Sequence, residues 1–150
     1  MFAYPVIESS DGALIAVRMA EHTAGAGQVY FAAGSFDDND IIDGYCDVNG
    51  NMQREVMEET GLDLGDATAG DRFYATHHQG VVALFRVFSF PMAADEIAGR
   101  IERHILVAEE DEISEAVVIR SADPSAYSYN IMMLPVLDWY FGCAAKATGS

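Results

Sequence analysis

The stretch Arg54-Glu55-Val56-Met57-Glu58-Glu59-Thr60-Gly61-Leu62 decides how the chain is read. Glu55, Glu58 and Glu59 stand at i, i+3 and i+4, so on a helix they fall within about one third of its circumference. Arg54 stands one turn before Glu58, where it can hold that carboxylate in place. Gly61 follows Thr60 as a left-handed glycine does where a helix ends. Asp47 is the N-cap candidate at the other end, which gives a helix running to Thr60. Gly50 lies in its first turns and blurs where it starts. Three carboxylates on one arc suit a hard divalent cation, whereas the plain reading is a solvated acidic helix face.

Outward from this helix, Ala3–Ser9 and Ala13–Arg18 read as strands separated by the turn chemistry of Ser10-Asp11-Gly12. Val29–Phe31 is a short third strand entered from the Gly-rich Thr23–Gly27, and Ala32–Asp40 is a loop of small and acidic residues. Arg72–His78 and Val81–Phe90 form a strand pair closed around His78-Gln79-Gly80. Ala93–Ala108 has helical spacing through Ile97, Ile101, Ile105 and Leu106, and Glu115–Ile119 is another strand. Asn130–Phe141 is an amphipathic helix with Met133, Leu134, Leu137 and Phe141 toward the core; Pro135 marks a kink or a later start. The last eight residues, from Cys143, read as a loose tail. Strands dispersed among two or three helices predict an α/β fold with a mixed sheet covered on both faces, in one domain over 1–150.

Composition narrows the partners. Twenty-four acidic against eight basic residues give a formal net charge of −16. There is no basic stripe to displace counterions, which excludes nucleic acid. The same field repels a phosphate-bearing small molecule unless clustered carboxylates first hold a divalent cation. The sequence has no apolar run of membrane-spanning length and no basic region leading an apolar N-terminal stretch, which predicts a cytoplasmic protein without membrane contact. Cys46 and Cys143 suggest neither a disulfide framework nor a zinc site.

The pattern Arg-Glu-apolar-x-Glu-Glu-x-Gly-apolar at 54–62 resembles the C-terminal half of the signature helix of Nudix hydrolases. That resemblance implies an α/β/α sandwich, and its order of elements matches nearly the whole chain. It also implies hydrolysis of the diphosphate in a nucleoside diphosphate linked to another moiety, with Mg²⁺ or Mn²⁺ as cofactor, and it admits a homodimer. The chain departs from the usual box in front of the helix. Counting back eight from Arg54 reaches Cys46 where a Glu is usual, and six further reaches Asp40 where a Gly is usual. Matching Gly34 to the box glycine instead leaves about six extra residues before the helix, with Asp37 and Asp47 at positions often acidic or capping.

By the family pattern Glu58 and Glu59 are the principal metal ligands, Glu55 is a ligand or the water-orienting base, and the Ala33 carbonyl is a further ligand. Arg54 positions Glu58 or Glu55. Arg18, at a strand end near the expected mouth, and Gly34 are the substrate-binding candidates; surface placement of Arg18 is an equal alternative. A loop glutamate from the acidic run Glu109-Glu110-Asp111-Glu112 is a candidate base, with a solvated loop as its plain reading. His77 and His78 are adjacent in a strand, so only one can face any site. Trp139, Tyr140 and Phe141 read as core before they read as a base-stacking wall. Two further functions stand beside the hydrolase. One is a degenerate Nudix domain that senses a nucleotide or sugar nucleotide without catalysis. The other is an acidic interaction module, ranked last because the charge is dispersed.

Overall fold

A computed structural model of the chain describes residues 2–22, 26–32, 41–78, 80–108 and 113–148. The first two strands, β1 (Phe2–Glu8) and β2 (Leu14–Met19), form a hairpin about the Ser9–Ala13 turn, where the Ser9 N–H donates to the Ala13 carbonyl. Their side chains alternate between two buried environments. Ala3, Ile7, Ile15 and Val17 enter one core; Tyr4, Val6, Leu14 and Ala16 enter the other. Strands buried on both faces read as near-continuous apolar runs, which is how these two read in the sequence.

The remaining main-sheet strands are β3 (Val29–Tyr30), β6 (Thr68–Ala69), β7 (Tyr74–His78), β8 (Val81–Ser89) and β9 (Ile113–Ile119). β4 (Ile41–Ile42) and β5 (Tyr45–Cys46) form a separate two-stranded sheet. β1 and β8 run parallel from Phe2↔Ala83 to Glu8↔Ser89, and the other pairings of the seven-stranded sheet are antiparallel, so the sheet is mixed. β9 lines one edge of β2 from Leu14 to Met19. The opposite edge is shared: β1 pairs with Leu14 and Ile15, and β3 takes over at Val17 and Arg18. The sheet therefore forks between β1 and β3.

Helices cover both faces. α1 (Val48–Thr60) and α2 (Ala94–Val107) set Met52, Val56, Ile97 and Ile101 on Ile7, Ile15, Val17 and Phe88. α3 (Met133–Thr148) sets Met133, Val136 and Leu137 on Tyr4, Leu14, Phe31 and Phe85. Each fully buried side chain of this size contributes roughly 1.5–3 kcal/mol. The result is the predicted α/β/α sandwich. No helix among the described residues is long and apolar enough to cross a membrane.

Three details differ from the sequence expectation. The presumed tail from Cys143 continues α3 as far as Thr148. Of the two readings of Pro135, the later start holds: the helix begins at Met133 rather than Asn130, and Pro135 sits in its first turn, where no intrahelical N–H is required. Starting at Met133 also turns Val136 into the core and leaves Leu134 only half-buried. The third difference is the β4–β5 hairpin, which directly precedes the Asp47 cap of α1. Asp43 and Gly44 lie between its strands with φ of 52° and 82°. Two successive positive φ values are what a tight Asp-Gly hairpin turn requires.

Candidate active site

The signature helix is fixed at both ends. The Asp47 carboxylate accepts the Gly50 N–H at 3.0 Å, an N-cap worth about 1 kcal/mol. A Cβ on Gly50 would lie 2.2 Å from the Asp47 Oδ2, so the glycine that blurs the helix start in the sequence is the residue that leaves room for the cap. At the other end Gly61 is left-handed (φ 73°) and its N–H donates to the Met57 carbonyl at 3.0 Å. The Thr60 hydroxyl donates to the Val56 carbonyl and accepts the Leu62 N–H, closing the last turn.

Between these caps, Met52, Val56 and Thr60 form the buried stripe. Glu59 and Glu55 lie beside that stripe and are half-buried, whereas Glu58 lies further round and is exposed. Each glutamate has a different surrounding. The Tyr30 hydroxyl donates to Glu59 Oε1 at 3.5 Å, which ties α1 to β3 where the sheet forks. Arg54 Nη2 is 3.6 Å from Glu55 Oε1, and Glu55 is the less exposed of that pair (17% against 31%). Of the two candidate partners for Arg54, the structure thus places Glu55 beside it. Glu58 meets α2 through its main chain: its carbonyl is 2.9 Å from His104 Nε2.

His104 is a feature that sequence reasoning does not single out. It sits in the last turn of α2, and its ring lies over Gly61 so closely that a Cβ there would be 2.7 Å from Nδ1. Gly61 therefore serves twice, adopting positive φ and admitting the imidazole that holds the Glu58 carbonyl. Helical spacing places His104 on α2 but carries no signal for a partner 46 residues away. Tyr30 likewise reads only as strand.

Arg18 lies directly opposite Glu115 in the β2–β9 pair, its Nε 2.9 Å from Glu115 Oε1, and its guanidinium carbon is 5.9 Å from the Tyr127 ring centroid. His77 is exposed on β7. Trp139, Tyr140 and Phe141 pack against the core beneath α3. Ala33, Gly34, Asp37 and the acidic run Glu109, Glu110, Asp111 and Glu112 lie outside the described residues. Among the described residues no three His, Cys, Asp or Glu side chains gather as a ready metal cage. Glu55, Glu58 and Glu59 share an arc of one helix without converging on a point. Their donor chemistry nevertheless fits Mg²⁺ or Mn²⁺: every group is a hard carboxylate oxygen, and such ions take a few carboxylates and complete their shell with water or phosphate.

No family model matches the chain, and no curated protein matches it in sequence. Solved structures do. A Caenorhabditis elegans Ap4A hydrolase in a binary complex superposes with a TM-score of 0.68 at 12% identity, over 97% of this chain and 99% of that one. The Nudix hydrolase RenU of Mycobacterium smegmatis gives 0.60 at 11% identity, over 97% and 86%. The Nudix domain of Shewanella oneidensis NrtR, solved with ADP ribose, gives 0.57 at 11% identity, over 95% and 86%. The mixed sheet with its three helices matches these structures over nearly the whole chain: the chain has the Nudix hydrolase fold.

Proposed function

We propose that the chain is a single-domain, metal-dependent hydrolase that cleaves the diphosphate of a nucleoside diphosphate linked to another moiety. The observation that supports it best is the pattern Arg54–Leu62, seated on a helix capped at both ends within a Nudix fold, with its three glutamates on one arc beside the fork of the sheet. Glu58 and Glu59 would hold the cation, with Glu55 as a further ligand or the group that orients the attacking water. When bound, the cation supplies positive charge to the phosphate oxygens and acidifies a coordinated water. Arg54 sets the rotamer of Glu55, and the Tyr30 hydroxyl sets that of Glu59. The Ala33 carbonyl and Gly34 would complete the metal and phosphate contacts from the preceding loop, with Arg18 at the mouth. The carboxylates need a cation before a polyanionic substrate can approach a chain of charge −16.

The test is to incubate the protein with Mg²⁺ or Mn²⁺ and a panel of nucleoside diphosphate sugars, dinucleotides and coenzymes, and to measure the mononucleotide released. Cation-dependent release from at least one class is the expected result; none from any class under either cation would overturn the proposal. A second reading, a non-catalytic nucleotide sensor, is favoured by one observation: among the described residues the helix carboxylates do not converge. Nucleotide that raises the melting temperature without cation and without product would favour that reading.

A further inference from the structure

A cavity lies on the α3 side of the sheet, away from the three glutamates, its wall joined to the start of α1 through Arg86, which donates to the Gly70 carbonyl and to Asn49 Oδ1. It has a volume of about 360 Å³, within the range of small-molecule sites, and opens between the C-terminal ends of β1 and β8, the loop before β7, and α3. Tyr74, Trp139 and Tyr140 wall it, Glu8 forms its base, and Asp71 and Arg72 stand at its exposed rim. Tyr74, Trp139 and Tyr140 pack with the core under α3, whereas α1 covers the opposite face of the sheet. Glu8 pairs with Leu14 at the start of β2, and Tyr30, the neighbour of Glu59, pairs with Val17 three residues further on. That separates the two sites by about 10 Å along the strand as well as by the thickness of the sheet.

Glu8 gives the cavity its character. The Ser89 hydroxyl donates to Oε1 and the Tyr140 hydroxyl to Oε2, each at 2.5 Å. Burial first, and then Glu8 itself, raise the pKa of Tyr140, so the phenol stays protonated and donates to the carboxylate. Two hydroxyls fix the carboxylate without neutralising it. A carboxylate has about four acceptor positions, so two remain. Among the described residues no Lys, Arg or His forms an ion pair with Glu8, and Arg72, though it lines the same cavity, pairs with neither Glu8 nor Asp71. A half-buried charge without a counter-ion is costly. The ring centroids of Tyr74 and Trp139 are 4.5 Å apart at 46°, and both rings are braced against Phe85.

From this arrangement we infer that the cavity binds a small organic cation, with Glu8 as the charge anchor and Tyr74, Trp139 and Tyr140 as the surface that takes its apolar body. A metal ion is the poorer occupant because rings rather than further oxygens line the walls. An anion would find Arg72 at the rim but would also face Glu8, Asp71 and the field of a chain with charge −16. Aromatic faces attract ammonium groups electrostatically, most strongly where water is excluded. The site is independent of the hydrolase reading.

Trp139 is the only tryptophan of the chain, so its fluorescence reports this wall alone. Choline is the probe, and its uncharged isostere, with a tert-butyl group in place of trimethylammonium, is the control. The 150-residue chain should show a saturable change in Trp139 emission with choline and a response at least about 10-fold weaker with the isostere. Glu8→Gln should weaken choline binding about 10-fold or more. Asp71→Asn, in an exposed loop where folding is not at risk, should weaken it about 3-fold. Glu58→Gln, on the opposite face, should leave it unchanged. Absence of a saturable change with choline, equal binding of the isostere, or undiminished binding by Asp71→Asn and a folded Glu8→Gln variant would each overturn the inference.

Discussion

Two sets of carboxylates occupy opposite faces of one sheet and are held in opposite ways. On α1, Glu55 and Glu59 have Arg54 and Tyr30 beside them, on a helix pinned by Asp47 and Gly61. Under α3, Glu8 is gripped by Ser89 and Tyr140, 81 and 132 residues away in sequence, and forms no ion pair among the described residues. The first set is local: one helix places all three glutamates. The second is assembled by strand register and by the docking of α3. A helix-borne set can share a small, hard ion among several oxygens, whereas a lone fixed charge ringed by aromatics suits a larger, softer cation.

The largest effects should come from the helix. Glu58→Gln and Glu59→Gln should each lower turnover by at least about 10²-fold, because on the proposed function each would remove a charge that holds the catalytic ion. Glu55→Gln should behave similarly, whereas Cys46→Ala should leave kinetics unchanged. Circular dichroism should show all four folded. A large loss in Cys46→Ala at unchanged stability would mean that the extra residues before α1 have been placed wrongly. If instead Glu8→Gln lowered turnover as much as Glu58→Gln, the separation between the two faces would fail.

The next effect is on stability. Gly61→Ala puts a Cβ into the left-handed region and against the His104 ring. Together these should cost about 2 kcal/mol in denaturant unfolding. A neutral Gly61→Ala would show that neither the turn nor the imidazole fixes the end of α1. Asp47→Ala, at the other end, should cost about 1 kcal/mol.

These two caps also show how far the sequence can be read. Asp47, the glutamate spacing and Gly61 are all local signals, so the helix and its arc of carboxylates are legible in the order of residues alone. The apolar runs of β1 and β2 announce strands buried on both faces, and hence the three layers. His104 over Gly61, Tyr30 beside Glu59 and the cradle of Glu8 are not legible, because each depends on which elements meet rather than on spacing within one. The β4–β5 hairpin escapes for another reason: its strands are two residues each, too short for alternation, although Asp43-Gly44 is a turn signal that points to it. The continuation of α3 past Cys143 escapes because Ala144, Ala145 and Ala147 carry no amphipathic pattern, only high helix propensity.

The smallest predicted effect concerns acid. Asp11 accepts from the Ser9 hydroxyl, the Ala94 N–H that begins α2, and Arg120, and these bonds, led by Ser9, lower its pKa to about 2. A folded pKa below the ordinary 3.8 means that the stabilisation is complete above about pH 4 and is lost as pH falls through about 2. Asp11→Asn should therefore flatten the acid limb of the stability curve in that window while leaving its slope near neutrality unchanged. An unchanged acid limb would show that the turn does not support α2 through this charge.

The central claim is that the α1 glutamates hold a divalent cation, and an electron paramagnetic resonance titration with Mn²⁺ tests it most directly, since the signal of the free ion disappears on binding. The wild-type protein should remove Mn²⁺ saturably, with a Kd on the order of millimolar as expected of a few carboxylates plus water. The Glu58→Gln/Glu59→Gln variant should leave the free-ion signal almost untouched, and Glu8→Gln should bind as the wild type does. Equal Mn²⁺ binding by the wild-type and Glu58→Gln/Glu59→Gln proteins would contradict the account.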